Sequence, residues 1–238
     1  MKLLALDTAT EACSAALWID GRVAERFDNA GRSHTEQMMP MVQGLMAEAG
    51  LPFAALDGLV CGIGPGSFAG VRIGVSYVKG LALALDRPVV GISSLPTLAL
   101  PALDAGATRV LVAIDARMNE IYWGAYARGD DGLPIPLQAE GVCPPSDLPT
   151  LATLGGAGEW VAVGSGWAAY GELLRPAAAQ PLLQIDGSAL PHAADALRLA
   201  IPQFEQGRAT SADELTPAYL RNKVALNLIE QAALRAGR

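Results

Sequence analysis

"LLALDTATEACSAAL" (3–17) and "LVAIDARMNEIYWGA" (111–125) decide the fold, because they are two versions of one pattern. Each is an apolar strand that ends in an aspartate, Asp7 or Asp115, turns through polar residues and returns as a second strand. Setting Asp7 over Asp115 gives an offset of 108 residues in a chain of 238, near half its length, which is how an internal duplication reads. Working outward from the first copy, Asp20-Gly21 is a hairpin turn into a third strand, "RVAERFDN". "SHTEQMMPMVQGLMAEAG" then has helical spacing, with Ser33 and Glu36 placed as a capping box and Gly50 as its stop. Pro40 falls inside that helix and predicts a kink over 36–40. The strand "LDGLVCGIG", a long helix from about Ala69 to Leu85 and the strand "PVVGIS" complete the unit.

Outward from the second copy, 127–157 is rich in Pro, Gly and Asp and reads as an irregular connection. "WVAVGSGW" reads as a strand into a turn, "SALPHAADALRLAIPQFEQG" carries a helix, and "NKVALNLIEQAALRAGR" ends the chain as an amphipathic helix. The expectation is a two-lobed α/β protein with mixed sheets flanked by helices: a first lobe over 1–106, a reduced second lobe over 107–215, and a C-terminal helix over 216–238 packing back on the body.

Composition narrows the chemistry. Hydrophobic residues make up 51% and charged ones 17%, enough burial to offset chain entropy along most of the length. The opening "MKLLALDTATEAC" has an apolar run too short for a signal peptide or a membrane span, so the expected location is the cytoplasm, away from membranes. Cys13, Cys61 and Cys143 are widely spaced among apolar neighbours and read as reduced structural thiols. The formal charge of −7 has the wrong sign for gripping nucleic acid unaided, so any RNA would be held through a partner.

The glycine-rich "VCGIGPGSFAGVRIGVSYVKGLALAL" (60–85) matches neither the P-loop, nor the dinucleotide fingerprint, nor the nucleophile elbow. What stays open is an anion at the helix start, with Arg72 assisting, or a tight turn whose glycines allow close packing. Gly70 and Gly74 lie one turn apart, and Val75, Val78 and Leu81 add apolar surface. The preceding helix carries Met38, Met39, Val42, Leu45 and Met46. Either the two stripes meet a partner or they fill the chain's own core. Asp7 and Asp115 invite a metal-nucleotide reading, with Asp7, Thr8, Thr10 and Asp115 as candidate contacts. Two-lobed phosphotransfer proteins of the actin and sugar-kinase kind place glycine in this turn, whereas Ala9 and Arg117 stand there here. His34 and His192 form no paired metal motif and are expected to face solvent, and no catalytic or metal-ligating set emerges.

"LALDTAT", "SHTEQMMPMV", "GIGPGSFAGVRIG", "KGLALAL", "VVGISSL", "DARMNEIYWG" and "PAYLR", in that order, resemble the TsaB (YeaZ) family of tRNA threonylcarbamoyladenosine biosynthesis. The resemblance implies a two-lobed actin-like (ASKHA, duplicated ribonuclease H-like) fold and a catalytically silent relative of the transferase TsaD, which holds a metal through a paired-histidine helix motif. Met38 stands four residues after His34, where the second histidine would be needed. The resemblance further implies that the two helices over 33–49 and 69–85 form a four-helix interface with TsaD, that the ATPase TsaE joins this pair, and that a homodimer forms in TsaD's absence. No cofactor is obligatory, and ATP or ADP is allowed at the junction of the partners. The competing expectation is a nucleotide-hydrolysing enzyme built on Asp7 and Asp115.

Overall fold

The computed structural model describes residues 1–31, 33–154, 159–178 and 182–221, so the helix expected over 222–238 lies outside the described residues. The first sheet contains β1 (Lys2–Asp7), β2 (Ala12–Ile19), β3 (Arg22–Asn29), β4 (Gly58–Gly62) and β5 (Val89–Ile92) in the order β3-β2-β1-β4-β5. The first three strands form an antiparallel meander, and β4 and β5 run parallel to β1. The second sheet contains β6 (Arg109–Arg117), β7 (Glu120–Arg128), β8 (Pro134–Pro136), β9 (Gly141–Cys143), β10 (Trp160–Val163) and β11 (Gln184–Asp186). Its order is β11-β10-β6-β7-β8, with β9 also paired to β7. β6, β10 and β11 thus repeat β1, β4 and β5, so the duplication seen around the two aspartates extends through both sheets.

Among the described residues, six helices accompany them: α1 (His34–Glu48), α2 (Phe68–Leu85), α3 (Ser94–Asp104), α4 (Leu151–Leu154), α5 (Ser165–Ala178) and α6 (Ala193–Glu205). Strand residues alternate between faces, and each face receives its own helices. Leu4, Leu6 and Leu17 pack with α1 and α2, while Leu3, Ala5 and Ala16 pack with α6. In the second sheet Leu111, Ala113 and Trp123 pack with α4 and α5, and Val110, Val112 and Ile114 with α3. The boundary expected near residue 106 therefore separates the sheets but not the helices. α3, from the first half of the chain, covers the second sheet, and α6, from the second half, covers the first.

Local chemistry explains the helix ends. Gly50 sits at φ +62, its N–H donates to Ala47 O and that of Leu51 to Met46 O, a paired closure that satisfies two carbonyls of α1. The capping box expected at its start does not form. Ser33 Oγ accepts from Gln37 Nε2 at 2.9 Å and the Glu36 N–H goes to Ser33 O, while the Ser33 N–H is taken by Ala30 O, so neither half of the box forms. Pro40 lies within α1 on its exposed side, where the Glu36 carbonyl it leaves unpaired can meet water. α2 is capped by Ser67, whose Oγ accepts from Gly70 N, and ends at Asp86 in the left-handed region.

Candidate functional site

The strand β1 delivers Asp7 to the edge of the interlobe cleft, but the side chain is 1% exposed. Its Oδ1 accepts the Ala9 N–H at 2.8 Å, and its Oδ2 has no hydrogen-bond partner among the described residues. The glycine turn between β4 and α2 closes over it. Ser67 N–H donates to Ala9 O at 2.6 Å and Thr8 Oγ1 donates to Gly70 O at 2.7 Å. A Cβ on Gly66 would stand 2.0 Å from Ala9 O, and one on Gly70 would stand 2.1 Å from Thr8 O. Gly74 likewise faces Thr8 Oγ1, and Gly62 faces the Asp7 carboxylate. These glycines admit the chain's own backbone into the place where a phosphate loop would need room.

Burial pushes the Asp7 carboxyl up to about 6, against the opposing pull of the Ala9 N–H and the His192 charge. Burial, with Asp7 adding to it, also raises the Cys61 thiol, and burial together with Asp28 and Asp7 raises Cys13 to about 11. Both stay protonated, as structural thiols do.

Asp115 occupies the equivalent strand end in the second lobe and, though largely buried, borders the cleft where Asp7 is sealed from it. Its carboxylate accepts the Arg117 N–H and pairs with the Arg117 guanidinium, each at 2.8 Å, and Ser165 Oγ accepts the Asp115 N–H at 3.1 Å. With Thr10, Ser67, Phe68, Arg72 and Tyr122 it lines a cleft cavity of about 810 Å³. Asp7 faces Ser14 across its sheet and Asp115 faces Ile121, which makes the second turn one residue shorter. The tip compensates by holding Arg117, Met118 and Asn119 at φ of 60°, 57° and 58°. Of the four candidate nucleotide contacts, Thr10 and Asp115 reach the cleft, whereas Asp7 and Thr8 are packed beneath the glycine turn.

The stripe expected to meet a partner is core along most of its length. Met38, Val42, Leu45, Met46, Val75 and Val78 are buried against the first sheet, and Gly70 and Gly74 are buried against Thr8. Met39 and Leu81 are half-buried, and Arg72 is exposed, its guanidinium 3.6 Å above the Phe68 ring and 3.4 Å from Tyr219 Oη. The face of α2 that points outward is a different one: Ala69, Ser76, Gly80 and Leu83 are exposed with Ile73 half-buried among them, spaced alternately by four and three residues. α2 is apolar nearly all round, so period alone does not tell which side the sheet takes; the exposed serine and alanine were the available signal.

Neither histidine faces solvent freely. His34 is buried with Nε2 2.9 Å from Thr10 O, which turns the ring inward under the first turn. His192, half-buried, pairs with Glu25 at 2.9 Å and stacks on Phe27 with ring centroids 4.1 Å apart. The segment Pro217–Arg221, which contains the "PAYLR" motif, lines the same cavity as Asp115. Its place there was not visible from the sequence.

Known proteins resemble this chain over nearly all of it. The family model described as "TsaD: tRNA N6-adenosine threonylcarbamoyltransferase" matches residues 28–227, a span that takes in β4 and β5 of the first sheet and the whole of the second. The tRNA threonylcarbamoyladenosine biosynthesis protein TsaB of Escherichia coli is 43% identical over 94% of this chain and 96% of its own. The Haemophilus influenzae protein of the same name is 38% identical over 94% and 95%. The structure of YeaZ from Pseudomonas aeruginosa superposes with a TM-score of 0.85 at 42% identity, covering 92% of this chain and 99% of that one. Relatives so similar in sequence, so nearly equal in length and so alike in fold leave one conclusion: the chain belongs to the TsaB (YeaZ) family.

Proposed function

We propose that this chain is a non-catalytic scaffold in tRNA threonylcarbamoyladenosine biosynthesis. It docks TsaD on the outward face of α2, with α1 beside it, and this pair recruits TsaE for threonylcarbamoyl transfer to N6 of adenosine 37. The pathway comes from the name its relatives carry. The docking surface is carried by one observation, the seam Ala69, Ile73, Ser76, Gly80 and Leu83. Alternate spacings of four and three keep a stripe on one side of a helix, and small side chains let a second helix come close. A Cβ on Gly80 would meet nothing within 4 Å among the described residues, and Phe68 and Leu83 are 53% and 64% exposed at the two ends. A second copy of the chain can take the same seam when TsaD is absent. In this reading tRNA is held through the complex, as the acidic charge requires, and ATP or ADP is bound at the junction of the partners.

Ser76→Arg and Gly80→Arg test the seam, since both positions are exposed and the variants should fold. Each should weaken TsaD binding by about 100-fold, on the order of 3 kcal/mol, because a charge is buried without a partner. Leu173→Arg, on the exposed side of α5, should leave binding unchanged. Co-elution with TsaD that survives both seam variants would refute the assignment. The competing enzyme reading needs Asp7 open to the cleft, and its burial under the glycine turn weighs against that chemistry. ATP turnover by the isolated chain, lost in Asp7→Ala, would reverse the preference.

A further inference from the structure

We infer that residues Pro217–Arg221 form an intramolecular clamp that crosses one wall of the interlobe cleft and fixes one lobe against the other, with Arg221 holding the tip of the β6–β7 hairpin. The segment is anchored at both ends, and each end belongs to a different lobe. On the first lobe, Ala218 N–H donates to Ile63 O at 2.9 Å, and Tyr219 Oη accepts from Arg72 Nε and Nη2, each at 3.4 Å. On the second lobe, Leu220 packs against the cluster of Val110, Val112, Ile114 and α3. Arg221 Nη2 donates to Ala116 O at 3.0 Å and Arg117 O at 3.4 Å, and pairs with Glu120 at 2.5 Å. The same guanidinium lies 5.7 Å from the Tyr122 ring.

Two physical features make this more than a surface crossing. The Arg221 side chain is 16% exposed and its Glu120 partner 34%, so the pair sits largely out of water, where removing one partner leaves the other poorly compensated. The tip it grips is strained, since Arg117, Met118 and Asn119 all adopt the left-handed region without glycine's freedom. Such a conformation persists only where the surroundings hold it, and Arg221 supplies donors to the Ala116 and Arg117 carbonyls. In a two-lobed protein the cleft is where a bound molecule would bridge the halves. Here the chain's own segment bridges them.

The inference is tested on the full chain with Arg221→Ala, read by hydrogen exchange and by the distance between spin labels at Leu83→Cys and Leu173→Cys, one on each lobe. Amides over 116–121 should exchange at least 10-fold faster, those of β1 and β2 should be unchanged, and the interlabel distance distribution should broaden. Should Arg221→Ala fail to fold, Arg221→Lys and Tyr219→Phe carry the same test, with a smaller rise in hairpin exchange from the first and a broader distance distribution from the second. Hairpin protection and interlobe distances indistinguishable from those of the parent chain, in whichever variants fold, would overturn it.

Discussion

Asp7 and Asp115 close equivalent strands of equivalent sheets, yet one is sealed and the other looks into a cleft. The difference lies in the glycine turn that packs against each strand end. In the first lobe the β4–α2 turn and the residues flanking it bring Gly62 against the Asp7 carboxylate, Gly66 and Gly70 against the Ala9 and Thr8 carbonyls and Gly74 against Thr8 Oγ1, so the turn becomes part of the core. In the second lobe the β10–α5 turn also settles closely, with Gly164 and Gly166 against Ala113 and Ser165 Oγ on the Asp115 N–H, but it leaves the Asp115 carboxylate to Arg117, Tyr170 and the cleft. A duplicated strand-and-aspartate pattern therefore does not carry a duplicated role. What the neighbouring turn covers decides whether the acid packs or faces a cavity.

The largest expected effect tests that covering directly. Gly70→Val adds a branched side chain where a Cβ alone would stand 2.1 Å from the Thr8 carbonyl, a backbone atom that has no rotamer to retreat to. It should destabilise the chain by roughly 3 kcal/mol or more, in the upper range of overpacking. Gly166→Ala, whose Cβ would meet Ala113 at 2.9 Å, should cost about 1–2 kcal/mol. Urea unfolding measures both, and the reverse ranking would mean that the first turn is no tighter than the second.

The next effect reads the sealing of Asp7 by pH. An acid raised from 3.8 to about 6 by burial binds its proton more tightly in the folded state than in the unfolded one. Asp7 therefore adds nothing unfavourable below about pH 3.8, becomes increasingly unfavourable as pH rises toward 6, and keeps that full cost above it. At about 1.4 kcal/mol per pH unit, the stability of wild type relative to Asp7→Asn should fall by roughly 2.5 kcal/mol between pH 4 and 7.5. A flat difference for Asp7→Asn in the same urea titration would show that water reaches the carboxylate.

The same contrast governs how much of the molecule was legible in its residues. The continuous apolar runs Leu3–Leu6 and Val110–Ile114, each closed by an aspartate, gave the strands, and the repeated strand-aspartate-turn gave the two lobes, because a strand buried on both faces reads as an unbroken apolar run. Gly50 announced the end of α1 because a left-handed residue is needed there. The buried side of α2 stayed hidden, since a helix apolar on every face carries no phase. Ser33 misled for a related reason: an oxygen suited to capping has a competing donor in Gln37 Nε2, and the path of the chain, tied at the Ser33 N–H to Ala30 O, decides between them. Long-range placements, such as "PAYLR" in the cleft or the exchange of α3 and α6 between lobes, depend on chain topology and have no local signal at all.

The smallest expected effect compares how the lobes tie down their carboxylates. Glu25 on β3 accepts from Ser14 Oγ at 2.9 Å, from Ala194 N–H at 3.0 Å and from His192 Nδ1 at 2.9 Å, joining the meander to the start of α6. Burial pushes Glu25 up, but the hydrogen bonds from His192, Ala194 and Ser14 outweigh it and leave the carboxyl below its usual range. His192 is lifted by the Glu25 hydrogen bond, against its own burial. Its contribution is thus fully present below the ordinary histidine value of 6.5 and is lost as pH rises through the raised folded value. Glu140, which links β5 and β7, accepts instead from Tyr126 Oη at 2.7 Å and Ser93 Oγ at 2.9 Å, donors that stay neutral across this range. His192→Gln should therefore lower stability by about 0.5–1 kcal/mol at pH 5.5 and by less at pH 8.5, a modest figure because the pair is partly solvated. Tyr126→Phe should have the same effect at both pH values. Asp195, raised to about 6 by burial, titrates nearby, so the informative quantity is each variant's difference from wild type, measured by urea unfolding. If that difference for His192→Gln is the same at both pH values, the histidine acts as a neutral donor and the two carboxylate ties are equivalent.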